Sequence, residues 1–120
     1  MAAFTETFDD VGAEKLTTTH VRVDGLGDKV SLRSTNNHRY IEGKHGSYTV
    51  YPSGSNSQFA AGTTIEARSR GGSTGSVRLD SHPVHAFEVP GNEWKTYKFS
   101  LDAASFNCTT EVEIREIHGK

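Results

Sequence analysis

The chain has 120 residues, a formal net charge of −2 and 33 % hydrophobic residues, which fits one domain with a thin core. Its lysines and arginines are scattered rather than gathered into a stripe, which argues against a nucleic-acid partner. No run approaches the roughly 18 apolar residues that span a bilayer, and the first ten residues lack the features of a secretion signal. We therefore predict a single domain over residues 1–120 without a membrane span.

Apolar and polar residues alternate in the amino-terminal half, with the period expected of strands that bury one face. Pro52 is expected to end one of these strands, because proline has no backbone N–H to donate to a neighbouring strand. Residues 34–38 are polar and are predicted to form a loop. The predicted strands lie near residues 4–8, 20–23, 29–33 and 47–51.

Residues 62–99 show the clearest strand pattern in the chain. Turn signals at residues 71–73, 81–83 and 90–92 divide this segment into four strands, which we predict to form a central meander. Short strands separated by such turns are typical of a β-sandwich or barrel.

The last segment, residues 109–117, predicts a final strand with Val112, Ile114 and Ile117 facing inward and the charged residues facing outward. Residues 102–107 are predicted to form one helical turn or an irregular connection. No long stretch carries the apolar repeat of a helix. The fold class is therefore all-β, a sandwich of about nine to ten antiparallel strands.

The reactive side chains do not form a recognisable catalytic motif. Cys108 is the single cysteine, which excludes an internal disulfide, and we predict a small apolar group packed near a strand end. His82 and His85 are the closest histidine pair but lack a clear third ligand, so we expect structural or solvated histidines. No serine elbow and no acid in apolar surroundings stands out, so we predict that the protein is not an enzyme.

Four motifs follow one another in the middle of the chain. Residues 40–50 read YIEGKHGSYTV, residues 61–69 read AGTTIEARS, residues 76–80 read SVRLD and residues 89–97 read VPGNEWKTY. In order and spacing these motifs resemble the carbohydrate-binding modules of families 6 and 35. The resemblance implies a β-jelly roll that binds a glycan without cleaving it.

The resemblance also implies where the sugar would bind. Tyr40 matches the tyrosine that forms one wall of the sugar cleft, and Phe106 or His38 would replace the tryptophan of the second wall. Independently, residues 36–42 combine the aromatic and short polar side chains that sugar binders use. The predicted carbohydrate-binding residues are Asn36, Asn37, His38, Arg39, Tyr40, Glu42, Phe106 and Asn107.

Members of the resembled families commonly hold a structural Ca²⁺ through acids of the first and last strands. The resemblance therefore implies Glu6 or Glu14 together with one acid of the last strand. For the last strand the candidates are Glu111, Glu113 and Glu116, and we name Glu6, Glu14 and Glu113 as the predicted metal ligands.

The expected partner is a polysaccharide or oligosaccharide, bound by a secreted lectin or by a module of a carbohydrate-active enzyme. A lectin gains from forming a homo-oligomer, since multivalency multiplies weak single sites. The alternative is a structural or adhesion jelly roll that makes protein contacts, and a small hydrolase ranks third.

Overall fold

The computed structural model describes residues 3–8, 20–24, 30–35, 38–53 and 56–120, apart from the side chains of residues 35 and 38. These residues contain eleven β-strands, one short 3-10 turn (Arg70–Gly72) and no α-helix. None of their helical segments is long and apolar enough to cross a membrane. The strands are β1 (Phe4–Glu6), β2 (Val21–Val23), β3 (Val30–Thr35), β4 (His38–Gly43), β5 (Tyr48–Pro52), β6 (Thr64–Ser69), β7 (Thr74–Leu79), β8 (His85–Pro90), β9 (Lys95–Lys98), β10 (Phe106–Cys108) and β11 (Val112–Gly119).

The strands form two antiparallel sheets packed face to face. The β11 sheet has the order β3-β4-β11-β6-β9, and β1 also pairs with β11. The β10 sheet has the order β2-β5-β10-β7-β8. The predicted all-β sandwich is confirmed, with eleven strands in the described residues instead of nine or ten.

The core lies between the sheets and combines inward-facing residues of the strands with buried residues of the connections, such as Phe59 and Phe99. Val112, Ile114 and Ile117 of β11 are all fully buried, which confirms the predicted inward face of the last strand. Phe59, Phe99 and Phe106 pack against one another, with ring centroids 5.3 to 6.1 Å apart. Each such buried side chain stabilises the fold by about 1.5–3 kcal/mol.

A β-bulge interrupts the pairing of β11 with β6. Ile114 lies opposite Ala67 and Glu116 lies opposite Glu66, so Arg115 is the extra residue on β11. The bulge explains how Ile114 and Ile117 both face the core although they are three residues apart. It also leaves the side chains of Glu116 and His118 on the outer face.

The segment 62–99 does form four strands separated at the three predicted turns, but it is not a meander within one sheet. β6 and β9 belong to the β11 sheet, whereas β7 and β8 belong to the β10 sheet. The chain changes sheets at the turn Arg70–Gly72, where Gly71 and Gly72 have φ of 65° and 76°. Such positive φ values favour glycine, which explains the Gly-Gly pair.

Buried polar groups tie the two sheets together. The Tyr48 hydroxyl on β5 donates a hydrogen bond to the Val112 carbonyl on β11, at 2.7 Å. The Ser69 hydroxyl on β6 donates to the Val89 carbonyl on β8 and accepts from the Gly75 N–H on β7. These bonds satisfy polar groups that would otherwise be costly to bury.

Gly43, the last residue of β4, should not tolerate a side chain. A Cβ at this position would clash with the backbone of Thr110, 2.9 Å from its Cα, and backbone atoms cannot move aside as a flexible side chain would. We expect Gly43→Ala to lower the free energy of unfolding by about 1–3 kcal/mol, measured by urea denaturation. Lys44→Ala, at the exposed next residue, is the control and should change it by less than about 0.5 kcal/mol. Equal stability of the two variants would contradict this close contact between Gly43 and Thr110.

Cys108 is fully buried at the end of β10, which confirms the small packed group expected from the sequence. Burial raises the pKa of the Cys108 thiol to about 12, against the lowering effect of a hydrogen bond with Tyr48. Because the thiolate is the reactive form, the folded chain should react very slowly with a disulfide reagent at about pH 8. The same chain unfolded in urea should react fully within minutes, and fast labelling of the folded chain would refute the burial of this thiol.

Candidate functional site

A groove of about 450 Å³ lies on the outer face of the β10 sheet. Strand alternation creates its lining, because the polar residues of β5, β7 and β10 alternate with buried ones such as Val50, Val77 and Phe106. The groove is lined by Thr49, Tyr51, Arg78, Leu79, Asp80, Val84, Ser105 and Asn107.

Three polar side chains form a row across the groove. Asn107 on the central strand lies opposite Thr49 on one side and opposite Arg78 on the other. The Asn107 amide Nδ2 donates a hydrogen bond to Thr49 Oγ1 at 2.9 Å. Since neighbouring strands are about 4.8 Å apart, the row presents an alcohol, an amide and a guanidinium over about 10 Å.

Tyr51 is the aromatic residue of the groove, and its side chain is partly exposed. Arg22 lies opposite Tyr51 on β2, and its guanidinium carbon lies 4.1 Å from the centre of the Tyr51 ring. Arg22 also approaches Asp24 at 4.0 Å. One face of the ring therefore carries a cation, which restricts the orientation of the tyrosine.

Arg78 and Asp80 are both exposed and belong to the groove. Within the described part of the chain, neither side chain has an ion-pair or hydrogen-bond partner. On the outer face of the β11 sheet, by contrast, the arginines are paired. These pairs are Arg33–Glu42 at 2.6 Å, Arg70–Glu42 at 3.6 Å, Arg68–Glu113 at 2.6 Å and Arg115–Glu66 at 2.8 Å. The groove thus offers charged donors and acceptors that are free to bind a ligand.

The outer face of the β11 sheet also carries two aromatic side chains. Tyr40 and Trp94 meet edge to face, with ring centroids 5.6 Å apart. The guanidinium carbons of Arg68 and Arg115 lie 4.4 Å and 4.9 Å from the Trp94 ring centre. These aromatic residues are therefore engaged with side chains of the protein itself.

Beside these rings, two carboxyl groups lie opposite each other on adjacent strands. Glu113 on β11 is 3 % exposed and faces Glu42 on β4. Burial raises the pKa of Glu113, against the lowering effect of the Arg68 guanidinium. Burial also acts to raise the pKa of Glu42, but Arg33 and the hydrogen bond from Glu113 lower it on balance. Glu113 is thus the member of the pair that holds a proton to higher pH.

The structure separates the predicted carbohydrate-binding residues. Tyr40 and Glu42 lie on the outer face of the β11 sheet, whereas Asn107 lies in the groove on the opposite face of the molecule. Phe106 is fully buried between the sheets, so the prediction that it walls a surface cleft is wrong. The reason is that residues 106–108 form a central strand instead of a loop, which turns Phe106 toward the core.

The remaining predicted residues precede Tyr40. Arg39 is partly buried on the side of β4 that also carries Ile41, opposite to the side of Tyr40. Asn36, Asn37 and the side chain of His38 lie outside the described residues. A role for them in sugar binding stays a prediction.

The two predicted metal ligands that the structure describes, Glu6 and Glu113, do not converge. Glu6 lies opposite Ile117, on the core side of the sheet, and its carboxylate accepts the Phe8 N–H at 2.7 Å. Glu113 lies on the outer face, where its carboxylate accepts a hydrogen bond from Arg68. Glu6 and Glu113 therefore cannot bind the same ion. Glu14 lies outside the described residues, and calcium binding itself stays a prediction.

Sequence reasoning missed most of the groove. Thr49, Tyr51, Arg78 and Asp80 each occupy an outward position that alternation alone identifies. Their proximity depends on β10 pairing with both β5 and β7, and no local pattern shows that pairing. The sequence contained one relevant signal, namely outward-facing polar residues on three separate strands. It did not show that these strands are neighbours in the sheet.

No protein-family model matches the chain, and no curated protein matches it either. Solved structures do match. A variant of the CBM29-2 module shares 14 % identity, with coverage of 100 % of this chain and 92 % of that chain and a TM-score of 0.54. A structure named carbohydrate binding module family 29 shares 16 % identity, covering 99 % of this chain and 89 % of that one, with a TM-score of 0.51.

A further CBM29-2 variant, described as complexed with mannohexaose, shares 16 % identity, covering 99 % of this chain and 92 % of that one, with a TM-score of 0.52. At such low identity the likeness concerns the fold. The chain therefore has the β-sandwich fold of carbohydrate-binding modules, and the similar structures come from family 29 rather than from family 6 or family 35.

Proposed function

We propose that the groove on the outer face of the β10 sheet binds a polysaccharide or oligosaccharide chain without cleaving it. The observation that carries the proposal is the row of Thr49, Asn107 and Arg78 beside the Tyr51 ring. Sugars present apolar C–H faces bordered by hydroxyl groups. A site for them therefore combines an aromatic ring with short polar side chains that fix orientation.

The hydrogen-bonding capacity of the groove suits hydroxyl groups, which donate and accept at once. The Asn107–Thr49 bond uses one amide N–H of Asn107 and leaves its carbonyl oxygen and second N–H for a ligand. Arg78 adds five donors in a planar fork, and Asp80 adds carboxylate acceptors. We expect the sugar to contact the face of Tyr51 that Arg22 does not cover.

The shape of the groove and the solved relatives support a linear ligand. The groove is open and crosses three strands of a sheet, so a linear ligand can lie across it. Two of the similar structures are described as complexes with mannohexaose and with cellulohexaose. The proposal includes an extracellular role, either as a lectin or as a module of a carbohydrate-active enzyme. Self-association of the chain would strengthen binding at weak single sites.

The test is isothermal titration calorimetry of the full chain with mannohexaose and cellulohexaose, after a glycan array to widen the choice. Tyr51→Ala and Arg78→Ala should each weaken binding about tenfold or more, which corresponds to about 1.4 kcal/mol. Tyr40→Ala is the matched control, since it removes a tyrosine from the opposite sheet and should leave the affinity unchanged. Repeating the titration with a chelator tests the calcium prediction separately.

The variants also discriminate between the alternatives. Loss of binding in Tyr40→Ala with full binding in Tyr51→Ala would move the site to the β11 sheet, as the sequence motifs implied. A folded chain that binds no glycan, with or without calcium, would instead favour a structural or adhesion β-sandwich that contacts proteins.

A further inference from the structure

Three side chains able to bind a metal ion meet on the outer face of the β11 sheet, on the opposite side of the sandwich from the groove. Glu116 and His118 are two residues apart on β11 and share that face. Glu66 lies directly opposite Glu116 on β6. One ligand atom from each of the three residues lies within 4.8 Å of the others.

The spacing of Glu116 and His118 suits two ligands of one ion. His118 Nε2 and Glu116 Oε1 form a hydrogen bond of 3.0 Å, in which the ring nitrogen donates to the carboxylate. Two ligand atoms bound to Zn²⁺ at about 2.0–2.2 Å and separated by the tetrahedral angle are about 3.3–3.5 Å apart. An ion can therefore bind both atoms with little movement of the side chains.

Thr5 approaches the second ring nitrogen of His118. It lies opposite His118 on β1, and its Oγ1 is 3.4 Å from His118 Nδ1. In metal sites the second ring nitrogen usually has such a partner, which fixes the tautomer. An ion would replace the proton between Nε2 and Glu116, and the remaining ring proton would then lie on Nδ1, directed to Thr5.

The charges around the cluster also favour a cation. Glu66 and Glu116 are carboxylates directly opposite each other on adjacent strands, an arrangement that is destabilising without a neutralising charge. Arg115 neutralises Glu66 through two hydrogen bonds, from Nε at 3.1 Å and from NH2 at 2.8 Å, both to Oε1. This contact leaves Glu66 Oε2 for an ion, and ligating carboxylates are often hydrogen-bonded in this way.

We propose that Glu66, Glu116 and His118 form a binding site for a divalent first-row transition metal ion, with Zn²⁺ as the reference ion. An imidazole nitrogen with two carboxylate oxygens is a ligand set that such ions accept, and water completes the coordination. Ca²⁺ prefers six to eight oxygen ligands, so the histidine argues against calcium here. The site would join β6 to β11, and its existence does not depend on glycan binding.

The test is calorimetric titration of the full chain with Zn²⁺. The unaltered chain should bind one ion at this site, and His118→Ala and Glu116→Gln should each weaken that binding about tenfold or more. His85→Ala and Glu88→Gln are the matched controls, because both residues are exposed on β8 in the other sheet, and they should bind as the unaltered chain does.

Thermal unfolding gives a second measurement that also checks that the variants fold. Zinc at about 100 times its Kd should raise the unfolding midpoint of the unaltered chain by about 5–15 °C, while Mg²⁺ and Ca²⁺ should not. His118→Ala and Glu116→Gln should unfold cooperatively but lose most of the zinc-dependent rise. An unaltered chain that binds no zinc, or equal zinc effects in the unaltered chain and both variants, would overturn the proposal.

Discussion

The hydrogen bond from the Tyr48 hydroxyl to the Val112 carbonyl crosses the core and links the two sheets beside their central strands. A buried hydroxyl without a partner is costly, so this bond holds β5 of one sheet against β11 of the other. The central strands β10 and β11 follow each other in the chain, joined only by residues 109–111. The remaining strands pair outward from these two, and both candidate sites lie on the faces turned away from this shared core.

The two outer faces differ in how their charged groups are satisfied. On the β11 sheet, arginines and glutamates pair with one another, and the guanidinium groups of Arg68 and Arg115 lie against Trp94. On the β10 sheet, Arg78 and Asp80 lie in the groove, without a partner among the described residues. A surface whose charges are already paired has little to offer an uncharged ligand such as a sugar, whereas unpaired groups in a concavity can exchange water for ligand hydroxyls. Both faces carry aromatic rings next to arginines, so the aromatic residues do not distinguish them. The unpaired charges do, and they favour the groove as the sugar site.

Alternation along single strands was sufficient to predict the sandwich and the inward positions of Val112 and Ile114, whereas the inward position of Ile117 depends on the bulge at Arg115. Alternation was insufficient for the sites, because these depend on which distant strands become neighbours. Tyr40 and Asn107 illustrate the difference, since both were assigned to one cleft and lie on opposite sides of the molecule. Phe106 shows a second reason why the site prediction failed. Its strand, β10, has only three residues, too few for the alternation of buried and exposed side chains to be recognised in the sequence. His118 was overlooked as a ligand because its partners are two residues away on β11 and across the sheet on β6.

The bulge at Arg115 has a consequence for aligning this chain with other chains of the same fold. Side chains on a strand alternate with a period of two, so one additional residue exchanges the inner and outer faces of everything that follows it. A chain of this fold without the bulge must therefore be aligned with a one-residue gap inside β11. Without that gap, an alignment would equate Glu116 and His118 with core positions and Ile117 with a surface position. Searches that penalise gaps inside strands will undervalue such chains, although their folds superimpose.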